Sequence, residues 1–134
     1  MTNGAEVAAK LQQAASGLFM PSESEFPFSP VRWAAVFGNI TPQHILEFTG
    51  HPQNASVEVV ELDHLFRNLA FEQEWHDDQQ KENVKKYKKL LDSIKSDLSD
   101  VKVYRVGRRS IDVYIVGKTP SGDLAGLTTK VVET

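Results

Sequence analysis

Apolar positions recur along the chain with two periods. In residues 3–16, Val7, Ala8, Leu11, Ala14 and Ala15 fall at three- and four-residue steps, which reads as a helix. Asn3 and Glu6 have capping-box spacing, and Gly17 suits the residue after the helix. A longer stripe, Val84, Tyr87, Leu90, Leu91, Ile94 and Leu98, makes residues 78–98 the long helix of the chain. Two shorter helices are expected. One opens at Thr41-Pro42, buries Ile45, Leu46 and Phe48, and stops at Gly50; the other covers residues 63–71 with Leu65, Phe66 and Leu69. Strands are expected at 31–37, 57–62, 101–106, 111–116 and 124–132, and the last two read as an antiparallel hairpin across the turn-rich loop 117–123.

One strand carries an architectural clue. Along residues 111–116, Ile111, Val113 and Ile115 would share one face, and Asp112, Tyr114 and Val116 the other. Both faces are largely apolar, so both need cover. With several helices available, the economical solution is an antiparallel or mixed sheet with helices on both faces.

The chain of 134 residues suffices for one domain, expected to span 1–134, and can bury a core without covalent staples. It has no cysteine, so disulfides and thiolate chemistry are excluded. A formal net charge of −3 argues against a nucleic-acid binder that works through a dominant positive field. The lysine-rich stretch Lys81, Lys85, Lys86, Lys88, Lys89 and Lys95 lies mostly off the apolar stripe, interleaved with Glu82 and Asp92, and reads as a solvated helix face. No segment approaches the roughly 18 consecutive apolar residues of a membrane span, and no secretory pattern opens the chain. A soluble cytoplasmic protein is the expectation.

Three polar segments stand out. Ser22-Glu23-Ser24-Glu25 lies between Phe19-Met20 and Phe26-Pro27-Phe28, with three prolines in residues 21–30 excluding a long regular element. Residues 72–78, EQEWHDD, join one tryptophan and one histidine to a run of acid. At the C-terminus, Glu133-Thr134 follow the last strand directly, which puts a carboxylate side chain, a hydroxyl and the chain's own carboxylate on a tethered mount. Conventional catalytic patterns are missing. The four histidines form no ligand motif, no glycine-rich phosphate loop precedes a helix, and no GxSxG elbow occurs. Glu23 and Glu25 could be an acid/base pair, but two nearby carboxylates are too common to carry a hydrolase.

The chain resembles the nuclease A inhibitor family. The likeness is carried by Phe19-Met20 with Ser22-Glu23-Ser24-Glu25-Phe26-Pro27-Phe28, Thr49-Gly50-His51, Glu74-Trp75, Lys89-Leu90-Leu91 with Ile94-Lys95-Ser96, Val103-Tyr104-Arg105-Val106-Gly107, and residues 112–134 ending Lys130-Val131-Val132-Glu133-Thr134. It runs over essentially the whole chain. The resemblance implies an α+β fold: a three-layer α/β/α sandwich with a central, mainly antiparallel sheet covered by helices on both faces. It also implies a non-enzymatic inhibitor of a sugar-non-specific, metal-dependent endonuclease. Glu23 would stand in for the scissile phosphate, Thr134 would offer its hydroxyl to the nuclease's divalent metal, and Glu74-Trp75 would form a second contact. The family has Asp-Trp where this chain has Glu74-Trp75, and a tyrosine where it has Phe26; Pro21 is a further departure. Glu25 and Glu133 are possible helpers, and Trp33 reads as core. No cofactor or intrinsic metal is implied, nor direct contact with nucleic acid or membrane. The expected assembly is a monomer that forms a 1:1 complex.

The physics of such an inhibitor is coherent. A nuclease without sequence preference recognises phosphate and metal rather than bases. Mg²⁺ takes hard oxygen ligands, which a hydroxyl or carboxylate supplies. The rival reading is a protein-interaction domain of the same fold with another partner and no inhibition.

Overall fold

The computed structural model describes residues 4–16, 19–20, 26–33, 41–52, 54–66 and 78–132. In chain order the elements are α1 (Gly4–Ala14), β1 (Phe19–Met20), β2 (Phe26–Pro27), β3 (Ser29–Trp33), α2 (Pro42–Thr49), β4 (Val57–Val60), α3 (Leu62–Phe66), α4 (Asp78–Asp97), β5 (Ser99–Val106), β6 (Ser110–Lys118) and β7 (Leu124–Val132). The fold is α+β. β1 and β2 form a small antiparallel pair, and a five-stranded antiparallel sheet has the order β3-β7-β6-β5-β4.

The closing hairpin organises the sheet. β6 and β7 pair from Ser110↔Val132 to Lys118↔Leu124 without a register shift. Their alternating side chains feed two cores. On one face Ile111, Val113, Ile115, Ala125 and Leu127 join Val7 and Leu11 of α1, Phe66 of α3, and Leu90, Leu91 and Ile94 of α4. On the other, Tyr114, Val116 and Leu124 join Tyr104 and Val106 of β5 and Ile45 and Leu46 of α2. The two-sided apolar pattern of the sequence is thus used on both sides. Each fully buried aliphatic side chain contributes about 1.5–3 kcal/mol by leaving water.

Local chemistry explains where elements stop. α2 begins at Thr41, whose hydroxyl accepts from His44 N at 3.3 Å while Thr41 N donates to His44 Nδ1 at 3.1 Å. It ends at Gly50, in the left-handed region at φ 74°, and His51 N then donates to Leu46 O at 3.0 Å. The strand expected at 57–62 is shorter, because Leu62 turns inward to start α3. The first long strand begins at Ser29, earlier than position 31. β3 tolerates Pro30 because it is an edge of the sheet, where a missing N–H breaks no ladder. β5 also starts early, at Ser99, across a register irregularity between Ser99 and Lys102, with Asp100 at φ 52°. The lysines at 81, 85, 86, 88 and 89 are exposed, as the periodicity implied. Trp33 lies at the margin of the second core, half-buried and stacked on Phe48 with ring centroids 5.5 Å apart.

The β6–β7 contact leaves no room at Gly126. A Cβ there would sit 1.6 Å from Ile115 O, a backbone atom that cannot step aside. Gly126→Ala is expected to lower the unfolding free energy by about 3 kcal/mol or more. Gly122→Ala, in open space at φ 91°, should cost only about 1 kcal/mol. Urea denaturation measures both, and equal midpoints would contradict the close approach.

Candidate partner-binding edge

β7 ends at Val132, two residues short of the chain end, and its last turns carry polar groups on both faces of the sheet. On the face of α1 and α4, Thr129 is buried, which obliges its hydroxyl to find partners. Thr129 Oγ1 lies 3.3 Å from Phe26 O and 3.1 Å from Pro27 O, so its one proton is shared between two carbonyls of β2. β2 in turn pairs with β1, Phe19↔Pro27 and Met20↔Phe26. The pair is the stem of the segment 21–25. Phe28 follows and is fully inserted in the first core. The stem is therefore fixed both by a buried aromatic ring and by the strand that leads to the C-terminus.

The opposite face of the same strand end carries a polar chain. Asp112 on β6 stands opposite Lys130 on β7, with Lys130 Nζ 3.9 Å from Asp112 Oδ1. His51, placed just past the Gly50 cap, brings Nε2 to 2.9 Å from Asp112 Oδ2 and Nδ1 to 2.5 Å from Thr49 Oγ1. Thr49 Oγ1 is also 2.7 Å from Ile45 O. The Tyr114 ring meets the His51 ring edge-on at 6.0 Å. Burial raises the Tyr114 pKa above its ordinary value of 10.0, and the nearby Asp112 charge adds to the rise, against a smaller lowering by Thr49. Burial alone raises Tyr104.

The sequence-predicted site residues Glu23, Glu74, Trp75 and Thr134 lie outside the described residues, as do Glu25 and Glu133. What the fold brings together is their attachment points: the stem of 21–25 is bonded to Thr129, five positions before Thr134. The segment containing Glu74 and Trp75 enters α4 at Asp78. At the other end of that helix, Leu98 abuts Gly117 at the far end of β6, about 30 Å away for twenty helical residues. Sequence reasoning missed the Thr49–His51–Asp112–Lys130 chain. The pattern of the strands offered only Asp112, a charge on an otherwise apolar run, and Thr49-Gly50-His51 entered through the family likeness alone. The partner of Asp112, 61 positions earlier, follows no spacing rule. Among the described residues no group of three or more His, Cys, Asp and Glu could hold a metal ion.

These features define an α+β domain whose C-terminal strand anchors a second, distant segment at one sheet edge. The family model for nuclease A inhibitor-like proteins matches residues 5–134, and the chain belongs to that family. No curated protein matches it in sequence. No described helix is long and apolar enough to cross a membrane.

Two outcomes follow from this geometry. Thr129→Val keeps shape but strips the hydroxyl from two carbonyls, and should destabilise the protein by about 1–3 kcal/mol in chemical denaturation. The tyrosines set an alkaline limit. Their folded pKa values lie above the unfolded ones, so the unfolded chain ionises first. Stability is intact below about pH 10 and declines as pH rises beyond it. Tyr114→Phe should flatten that decline in melts recorded between pH 9 and about 11; a decline of the same slope would contradict the shift.

Proposed function

We propose that this protein inhibits a sugar-non-specific, metal-dependent endonuclease by occupying its active site. Glu23 places a carboxylate where the scissile phosphate would bind, and Thr134 offers its hydroxyl to the nuclease's divalent metal. Glu74 and Trp75 form a flanking contact, with Trp75 as an aromatic anchor. The reading holds that residues 1–134 are one non-enzymatic domain. It works in the cytoplasm as a monomer and binds its partner 1:1, without touching nucleic acid or membrane itself. The two cores on opposite faces of the sheet support the three-layer α/β/α arrangement.

The observation that carries the reading, beside family membership, is the Thr129 bond to Phe26 and Pro27. It roots the glutamate-bearing segment on the strand that delivers the threonine. Two prongs on one frame bind with less ordering cost than two free arms. The acidic character of the chain favours encounter with a basic, phosphate-binding cleft, most strongly at low salt. Without the family pattern Trp75 reads as a partly buried packing residue rather than a hot spot, so its assignment depends on that pattern. The longer Glu74 side chain, where the family has aspartate, extends that contact by a methylene.

A titration of DNA and RNA cleavage tests the reading. Stoichiometric protein should abolish both activities. Glu23→Ala and deletion of Thr134 should each raise Kd by about 10–100-fold, as loss of a central contact does. Both variants should keep the parent melting temperature. Full inhibition by the combined variant would overturn the site, and a C-terminal extension should impair inhibition because Thr134 is then no longer terminal.

A further inference from the structure

The polar chain at the end of β7 admits two proton arrangements, and only one keeps all of its contacts. Ile45 O is a pure acceptor, so the hydroxyl hydrogen of Thr49, 2.7 Å away, is directed to it. The Thr49 lone pairs then remain for His51 Nδ1 at 2.5 Å, which must carry a hydrogen in this arrangement. His51 Nε2 faces Asp112 Oδ2 at 2.9 Å, and an ionised carboxylate only accepts, so Nε2 carries a hydrogen as well. In this arrangement both ring nitrogens donate, as an imidazolium does. A neutral ring can keep Asp112 only by accepting the Thr49 hydrogen, and that breaks the bond to Ile45 O.

The chain also has a direction. Its helical end is fixed by backbone, through the Gly50 cap and the His51 N bond to Leu46 O. Its other end is the cross-strand pair Asp112↔Lys130, two positions before the last described residue of β7. His51 and Lys130 take different oxygens of Asp112, so they do not compete for one. Among the described residues, the charged and titratable groups facing the ring are Asp112 and Tyr114 of β6, with Lys130 of β7 reached through Asp112. α2 contributes only the uncharged Thr49.

We propose that His51 is a positioning residue for the C-terminal arm: as an imidazolium it ties the Asp112–Lys130 pair to the end of α2 and steadies the strand that carries Thr134. Binding of the nuclease is then tighter where the ring is protonated and looser where it is neutral. This rests on the inhibitor reading for its functional half; the bracing of β7 stands independently of it.

The experiment has two arms, each with the unaltered protein, His51→Gln and the isosteric Asp112→Asn. In the first, amide protection factors for residues 130–132 of the isolated protein are followed from pH 5.5 to about 8.5, alongside long-range ¹H–¹⁵N spectra of the His51 ring. Protection should fall as the ring passes from doubly to singly protonated, and should be low and flat in both variants. In the second, inhibition of a sugar-non-specific, Mg²⁺-dependent endonuclease is titrated over the same pH values. His51→Gln should weaken it about tenfold at the acid end and little at the alkaline end, so the ratio of affinities depends on pH. If His51→Gln fails to fold, Asp112→Asn decides both arms. Equal protection in variant and parent at every pH overturns the brace. Inhibition by the parent with a pH-independent ratio overturns the positioning role. A parent that does not inhibit at all, with the exchange arm as expected, overturns the inhibitor reading and the functional half while leaving the brace.

Discussion

β7 is paired on both sides, with β6 along its whole length and with β3 over its first half, and most other features lean on that arrangement. Leu124, Ala125 and Leu127 supply buried groups to both cores. Gly126 admits the carbonyl of Ile115, so the two longest strands approach without steric relief. Beyond the point where β3 has ended, Thr129 uses its buried hydroxyl to hold β2. A strand anchored this way is held along its described length to Val132. The same anchoring makes the chain's last strand a frame for residues more than a hundred positions earlier.

The two faces of that strand end work differently. On one side a single buried hydroxyl satisfies two carbonyls, a short-range tie that charge and salt hardly affect. On the other, a half-exposed carboxylate is shared between an imidazole and an ammonium, an arrangement sensitive to protonation and less so to packing. The first fixes where the 21–25 stem attaches. The second joins α2 to the β6–β7 edge. The exposed ion pairs elsewhere, such as Lys95–Asp63 and Lys102–Glu61, link neighbouring elements but contribute little each.

Much of this was legible in the sequence. The apolar stripe of α4, the Thr41-Pro42 start and Gly50 stop of α2, and the β6–β7 hairpin follow from periodicity and turn chemistry, and the structure has each of them. The alternation of Ile111, Val113 and Ile115 with Tyr114 and Val116 announced two cores, because a strand's period of two leaves no other use for apolar groups on both faces. Strand starts were less legible. Ser29-Pro30 and Ser99-Asp100 look like breakers, and only sheet position, edge or bulge, shows why they pair. The roles proposed for Glu23, Glu74, Trp75 and Thr134 rest on family resemblance, since two acidic strings and a terminal hydroxyl have no intrinsic spacing code. The His51–Asp112 contact was illegible for the opposite reason: each residue is ordinary alone, and only the fold puts them 2.9 Å apart.

The proposed mimicry requires Glu23 and Thr134 to share one edge of the molecule. The chain has no cysteine, so two can be introduced and spin-labelled without interference. Pulsed dipolar spectroscopy on the Glu23→Cys, Thr134→Cys protein, free in solution, measures the separation directly. A distribution centred below about 20 Å, less than the length of a nine-residue strand at ~3.3 Å per residue, is the expected result. A distribution centred near 30 Å or beyond, the span from one end of the sheet to the other, would contradict it.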